Sequence, residues 1–195
     1  MLKNSLVMTF VISLNILLSQ TTDFKILKSI NQTDRPCWDK TMKGVSFSVY
    51  PIMPTSVFGM WTQGYVTKDP VMVRNSYKSA ISIAFALGVS TGLKYTINRK
   101  RPYATYPNDI VKRDKAGPYS FPSGHTTAAF ATATALSLTY KKWYVTVPSY
   151  AYASFVGYSR MRLGMHYASD VLGGMIIGIG SGLLTWQLDK TFNKQ

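Results

Sequence analysis

The 195-residue sequence contains no glutamate, one cysteine and only two histidines, and its eight acidic residues are all aspartate. The missing glutamates exclude a di-iron site built on Glu-x-x-His and a catalytic pair of glutamates of the glycosidase kind. The single cysteine, Cys37, excludes a cysteine-rich zinc site and an intrachain disulfide. Polar chemistry must therefore come from His125, His166, aspartate and the many basic, serine and tyrosine residues.

The charge of the chain is one-sided. It carries 22 lysine and arginine residues, which gives a formal net charge of +14 at pH 7. Such an excess favours an anionic partner, which can be a phosphate group, a nucleic acid or an acidic membrane surface. The length suits about one domain with a single sizeable core.

The first twenty residues have the pattern of a secretory signal peptide. Lys3 provides a basic start, residues 6–18 form an apolar run, and Ser19 or Thr21 offers a small residue for cleavage. The run is short for a membrane span. We expect residues 1–20 to be a signal peptide that directs residues 21–195 to the periplasm. An uncleaved anchor or an ordinary N-terminal helix is the alternative.

Uncharged apolar stretches of 15 to 18 residues dominate the chain after residue 76, and they lack the alternation of strands. We interpret the four of them as helices of an all-α antiparallel bundle: Ser79–Leu93, Thr126–Tyr140, Trp143–Tyr158 and Val171–Leu188. The mean hydropathy is only +0.01, so a soluble bundle and a membrane bundle both stay open.

The remaining segments predict less regular structure. Residues 21–43 are expected to form a loop or a short helix, and residues 103–121 a loop rich in proline and glycine. Pro51 and Pro54 argue against one unbroken helix over residues 44–67.

Unusual polar residues border the four apolar stretches. Lys94 and Arg101 follow the first stretch, and Ser159 and Arg160 follow the third. Ser123 to His125 precede the second stretch, and His166 and Asp170 precede the fourth. If successive helices run antiparallel with short connections, all of these residues meet at one end of the bundle. We therefore expect the functional site at that end.

The types and spacings of these residues favour phosphoryl transfer. His166 and Asp170 are four positions apart on one helix face, so the carboxylate can orient the imidazole of a nucleophilic His166. His125 is then left as the general acid for the leaving oxygen. The charge that spreads over a transferring phosphoryl group needs donors. Candidates are Lys94, Arg101, Arg160, the Ser123 hydroxyl and the amide of Gly124 at a helix N-terminus.

Three motifs occur in order with no position missing: Lys94-x6-Arg101-Pro102, Pro122-Ser123-Gly124-His125 and Ser159-Arg160-x5-His166-x3-Asp170. They resemble the three-part signature of type 2 phosphatidic acid phosphatases, a superfamily that also includes bacterial acid phosphatases and vanadium-dependent haloperoxidases. With the flanking helices, the resemblance covers about residues 45–190.

The resemblance implies a helical bundle over residues 21–195 and phosphate-ester hydrolysis through a phosphohistidine, with no metal or other cofactor. By resemblance, His166 is the nucleophile, His125 protonates the leaving group and Asp170 supports His166. The phosphate ligands implied by the motifs are Lys94, Arg101, Ser123, Gly124 and Arg160.

The leading hypothesis is a phosphatase acting on a phosphorylated lipid at the periplasmic side of the inner membrane. Candidate substrates are phosphatidic acid, a polyprenyl diphosphate and a lipid A phosphate, and the basic excess suits an anionic membrane surface. The alternatives are a soluble broad-specificity periplasmic acid phosphatase, a vanadate-dependent haloperoxidase and a non-catalytic basic protein that binds membranes. Export argues against a nucleic-acid partner, and the oligomeric state stays open.

Residues between and beside the motifs predict simpler roles. Arg99 and Lys100 are expected to belong to a solvated basic helix end, and Arg162 is expected to be solvated or to face anionic head groups. Gly174 and Gly178, four positions apart in the last apolar stretch, predict close helix packing.

Overall fold

A computed structural model describes residues 21–32 and 35–192, and all regular structure within these ranges is helical. The predicted signal peptide, residues 1–20, lies outside the described residues. The helices are α1 (residues 21–31), α2 (Pro36–Val66), α3 (Pro70–Ile97), α4 (Pro102–Thr105), α5 (Gly124–Tyr140), α6 (Trp143–Arg162) and α7 (Ala168–Phe192). The all-α prediction is confirmed, and each of the four apolar stretches lies within one long helix, namely α3, α5, α6 or α7.

Short connections make the long helices antiparallel neighbours. Asp69 caps α3 by accepting hydrogen bonds from the amides of Val71 at 2.9 Å and Met72 at 3.1 Å. Lys141 ends α5 in a left-handed conformation with φ of 52°, and α6 begins two residues later. Tight turns join α2 to α3, α5 to α6 and α6 to α7, whereas residues 98–123 with α4 join α3 to α5. Together these connections bring alternate helix ends to one side.

The prediction for residues 44–67 is wrong, because α2 runs unbroken through Pro51 and Pro54. A proline removes one backbone donor and crowds the preceding turn, which is why an interruption was expected. Packing acts against that penalty, because the helix contacts α3, α5 and α6. Burial against neighbouring helices thus outweighs the local preference.

Helix α5 forms the centre of the bundle and packs against α2, α3, α6 and α7. Its ten consecutive residues 126–135 are all buried, as expected for a helix surrounded on every side. The threonine hydroxyls in this run bond back into the helix, for example Thr132 to the carbonyl of Ala128 at 2.9 Å. The helix therefore places polar side chains in the core without leaving these hydroxyls unsatisfied.

Helix α7 approaches α5 closely through glycines, which confirms the packing predicted for Gly174 and Gly178. A Cβ atom at Gly178 would lie 2.6 Å from the carbonyl oxygen of Thr127, and one at Gly174 would lie 2.7 Å from that of Ser123. No side chain fits at these distances, so the α5–α7 contact depends on glycine at both positions.

The outer faces of α3 and α7 are apolar. Both helices are long and apolar enough to cross a membrane, with mean hydropathies of 1.4 and 1.5, and only 22% of each apolar window is buried. Large side chains on these faces are exposed, among them Ile81 at 61% and Ile176 at 61%. A water-exposed surface of this kind is unfavourable, so the two helices support association with a membrane.

Candidate active site

The end of α3 positions the first basic motif. Asn98 takes a left-handed conformation with φ of 52°, and its amide donates to the carbonyl of Lys94. The ammonium group of Lys94, in the last turn of α3, donates to the carbonyl of Pro122 at 2.6 Å. This bond joins the end of α3 to the segment that leads into α5.

Arg101, just before α4, is buried and faces His166. Its Nη1 atom donates to the carbonyl of Met165 at 2.8 Å and lies 3.2 Å from Nε2 of His166. Its Nε atom donates to the carbonyl of Gly117, so three chain segments meet at this guanidinium group.

Arg160, near the end of α6, is also buried. Its Nη1 atom donates to the Ser46 hydroxyl at 2.6 Å and to the Asp114 carboxylate at 2.9 Å. Its Nε atom finds no hydrogen-bond partner among the described residues. A desolvated guanidinium with an unused donor is well suited to an oxyanion.

The second motif begins α5. Gly124 and His125 are the first two residues of this helix, where free amides and the helix dipole favour an anion. The imidazole of His125 packs edge-on against Tyr50, with ring centroids 5.2 Å apart. Ser123 is fully buried one residue earlier, and its hydroxyl accepts a hydrogen bond from Thr126 at 2.9 Å.

The third motif places His166 in the α6–α7 turn and Asp170 in the first turn of α7. Nδ1 of His166 lies 3.5 Å from Oδ2 of Asp170, and both side chains are shielded from solvent. Oδ2 of Asp170 also accepts the backbone amide of Tyr167 at 2.9 Å. The carboxylate thus faces one imidazole nitrogen, while the other nitrogen faces Arg101.

A cavity of about 330 Å³ collects most of the predicted site residues. Six of the eight line it: Lys94, Arg101, Gly124, His125, Arg160 and His166. Ser123 and Asp170 lie behind this wall, where the amide of Ser123 donates to the carbonyl of Asp170 at 3.0 Å. The four motif-bearing segments therefore meet at one end of the bundle, as the antiparallel arrangement predicts.

Burial and neighbouring cations favour the neutral form of both histidines. Burial lowers the pKa of His166 to about 3, with Arg101 and Arg160 acting in the same direction against Asp170. Burial and then Arg160 lower the pKa of His125 to about 3 as well. A neutral imidazole has a free lone pair, which nucleophilic attack by His166 would require.

Two arginines predicted to be solvated are instead structural parts of this end. Arg162 is buried, and its Nε atom donates to the Asp39 carboxylate at 2.8 Å. Arg99 donates to Asp170 at 2.7 Å and to Asp23 at 2.9 Å. Asp23 precedes Arg99 by 76 positions, and no local spacing in the sequence signals this pairing.

A family model described as "PAP2 superfamily" matches residues 77–194, which contain all three motifs. The chain belongs to the PAP2 superfamily. Its helical bundle is similar to the crystal structure of Aquifex aeolicus LpxE, with a TM-score of 0.71 at 25% identity over 84% of this chain and 93% of that one.

Two curated relatives match part of this chain. The chain is 37% identical to a lipid A 1-phosphatase of Porphyromonas gingivalis over 133 residues, 66% of this chain and 27% of the relative. It is 31% identical to an undecaprenyl-diphosphatase of Sulfolobus acidocaldarius over 111 residues, 57% of this chain and 53% of the relative. The matches thus span about a quarter and about half of these relatives.

Proposed function

We propose that this PAP2 protein is a phosphatase that hydrolyses the phosphate ester of a membrane lipid through a phosphohistidine intermediate. The observation that carries the proposal is the cavity in which Lys94, Arg101 and Arg160 surround two neutral histidines. Three converging cations match the charge of a phosphoryl group, and a neutral imidazole supplies the attacking atom.

In the first step, Nε2 of His166 attacks phosphorus as the bond to the lipid oxygen breaks. Asp170 faces Nδ1, holds the proton there and stabilises the positive charge that the ring acquires. His125 delivers a proton to the leaving oxygen. The bound phosphate anion offsets the charges of Lys94, Arg101 and Arg160 and raises the pKa of His125, so that His125 takes up, on substrate binding, the proton that it then delivers.

In the second step, a water molecule attacks the phosphohistidine. His125, now neutral, accepts a proton from this water, and the N–P bond breaks to release inorganic phosphate and neutral His166. His166 is then neutral again, and His125 again carries one extra proton, which it loses when phosphate leaves the cavity. Donors around the cavity stabilise the phosphoryl oxygens in both transition states.

An apolar groove supports a lipid as the substrate. It lies between α2 and α3, has a volume of about 520 Å³ and is lined by Trp61, Tyr77 and Ala80 among other residues. Met53 and Leu87 line both this groove and the catalytic cavity, so the two spaces adjoin. A hydrocarbon chain in the groove would place its phosphate at His166. The relatives named for lipid A and undecaprenyl diphosphate fit the same substrate class.

A substrate panel tests the proposal. Purified protein in mixed micelles with EDTA is offered phosphatidic acid, an undecaprenyl diphosphate, a lipid A phosphate and a short soluble phosphate ester. We expect phosphate release, with at least one lipid preferred over the soluble ester. Equal rates on all four would favour a broad-specificity acid phosphatase, and no release would end the proposal.

A substitution in the groove separates lipid recognition from the chemistry. Ala80→Trp fills the groove, whereas Ala151→Trp adds the same bulk to an exposed position on α6. We expect Ala80→Trp to reduce turnover of the lipid and to leave the soluble ester unaffected, and Ala151→Trp to change neither. Equal loss on both substrates would contradict the assignment of the groove.

We further propose that the catalytic end faces the periplasm, in line with the signal-like residues 1–20. Cys37 is exposed and lies two residues before Asp39, which binds Arg162 at this end. A membrane-impermeant maleimide should label Cys37 in spheroplasts. In a Cys37→Ser, Lys142→Cys variant, the new thiol at the opposite end should react only after permeabilisation. The reverse pattern would overturn the proposed orientation.

A further inference from the structure

Arg99 lies between two carboxylates directly behind the catalytic cavity. Its Nη1 atom donates to Oδ1 of Asp170 at 2.7 Å and to the Ser169 hydroxyl at 2.6 Å. Its Nη2 atom donates to Asp23 of α1 at 2.9 Å. The guanidinium group also stacks over the ring of Tyr167, 4.0 Å from its centroid. These contacts fix the guanidinium group in one plane.

The same contacts fix the Asp170 carboxylate. Oδ1 is bound by Arg99, and Oδ2 accepts the Tyr167 amide while it faces Nδ1 of His166. A carboxylate held at both oxygens cannot rotate away from the imidazole. Without Arg99, only one backbone amide and the ring itself would hold it, and Oδ1 would be a buried, unpaired charge.

Asp23 completes the arrangement from the N-terminal side. It accepts the amide of Ser169 at 2.9 Å and also the Ser169 hydroxyl, besides its ion pair with Arg99. Its charge balances that of Arg99, so that Asp170 is not left to neutralise the guanidinium alone. Arg99 then offsets the negative charge of Asp170 less, so Asp170 stabilises the imidazolium that forms at His166 more strongly.

Docking of α1 does not explain these contacts. Helix α1 is attached independently by Lys28, which pairs with Asp109 at 2.7 Å, and by Asn31, which exchanges two hydrogen bonds with the backbone of Val111. The charges of Asp23 and Arg99 are instead directed to the residue that supports the nucleophile.

We infer that Arg99 is a positioning residue of the phosphatase reaction, because it aligns Asp170 with His166. Asp23 of α1 holds Arg99 in the orientation that this alignment needs. The inference rests on the proposed function. Arg99 does not line the catalytic cavity, so its effect falls on the chemical step rather than on phosphate binding.

Kinetics of matched variants test this inference. Arg99→Gln should lower kcat on the order of 10- to 100-fold, the usual effect of losing a residue that orients a catalytic group, while KM stays within about twofold. Arg99→Lys keeps the charge and should recover part of kcat. The control is Arg113→Gln, which removes an arginine that is more deeply buried than Arg99, pairs with Asp39 and does not contact Asp170. It should match wild type in kcat.

Spectroscopy provides a readout that does not depend on turnover. The chain has only two histidines, so the Nδ1–H proton of His166 can be assigned in ¹⁵N-histidine-labelled protein with His125→Gln as reference. Its signal reports how close the Asp170 carboxylate lies to Nδ1, a distance of 3.5 Å to Oδ2 in this structure. We expect it to move upfield or vanish in Arg99→Gln, to move less in Asp23→Asn, and to persist in Arg113→Gln.

The outcomes separate cleanly. The inference fails if Arg99→Gln and Arg113→Gln have equal kcat, if the loss appears in KM alone, if lysine rescues nothing, or if the Nδ1–H signal is unchanged. If wild-type protein releases no phosphate from any substrate, the proposed function fails. The Nδ1–H signal then still decides whether Arg99 aligns Asp170 with His166.

Discussion

The two ends of the bundle use the same residue types to different effect. At the catalytic end, Arg160 pairs with Asp114 and its side chain is 2% exposed. At the opposite end, Arg74 at the start of α3 pairs with Asp189 near the end of α7, and the arginine side chain is 47% exposed. Solvent screens the second pair, and such surface pairs are worth about 0.2–1 kcal/mol.

Burial, not charge, therefore distinguishes the site. Desolvated cations at the catalytic end attract an anion strongly because little water competes with it. Lys78 and Arg74 at the far end are already neutralised in part by Asp189 and remain in contact with solvent. The same helices thus carry a reactive end and an inert one, and variants at each end can test this contrast.

The largest effect is expected at the nucleophile. His166→Ala should reduce phosphate release on the order of 10⁴-fold or more, because no other group replaces the attacking nitrogen. Lys78→Ala at the far end should leave the rate unchanged. Initial rates on the preferred lipid provide the measurement. A His166→Ala protein that keeps more than a few per cent of activity would refute the phosphohistidine mechanism.

The next largest effect is expected when Arg160 at the catalytic end is replaced, in comparison with Arg74 at the opposite end. Arg160→Ala removes a donor aimed at the phosphoryl oxygens and should lower kcat/KM by about 10²- to 10³-fold. Arg74→Ala should change kcat/KM less than twofold. Arg160→Lys keeps the charge without the planar fork and should fall between them. Comparable losses of kcat/KM in Arg160→Ala and Arg74→Ala would show that the difference in burial between the two ends does not affect activity.

A smaller effect tests the packing that supports the site. Gly174→Ala places a methyl group 2.7 Å from the Ser123 carbonyl, so α5 and α7 must separate next to the catalytic cavity. We expect destabilisation of about 1–3 kcal/mol together with reduced activity. Gly180→Ala, on the same helix with open space around it, should be neutral or slightly stabilising. Thermal unfolding checks both, and a neutral Gly174→Ala would contradict the close approach.

The last prediction is a pH slope of stability that arises at the catalytic end. His125 and His166 lie outside α3 and α7, and burial lowers the pKa of each to about 3 from 6.5. The unfolded chain therefore binds more protons between these values, so stability is complete above about pH 6.5 and declines as pH falls towards 3. The Tm should drop less between pH 7 and pH 4 in His125→Gln than in wild type. Parallel curves would contradict the lowered pKa of His125.

Much of the fold and of the site could be predicted from the sequence. The four apolar stretches identify the helices that carry the motifs, and their polar borders predict that the histidines and phosphate ligands meet. Two predictions failed for one reason. Pro51 and Pro54 were judged by local preference, and Arg99 and Arg162 by local charge, whereas each is decided by a distant partner: neighbouring helices for α2, Asp23 and Asp170 for Arg99, Asp39 for Arg162.

The sequence alone determined which residues are available for the proposed chemistry, because an ordered set of residue types at fixed spacings specifies what an antiparallel bundle can assemble at one end. Only the tertiary structure decided how that chemistry is supported. Burial makes both histidines neutral, and the packing of α1 against the α7 start brings Asp23 to Arg99 and Ser169. Desolvation and long-range ion pairs depend on distances between residues far apart in the chain, and no local pattern encodes those distances.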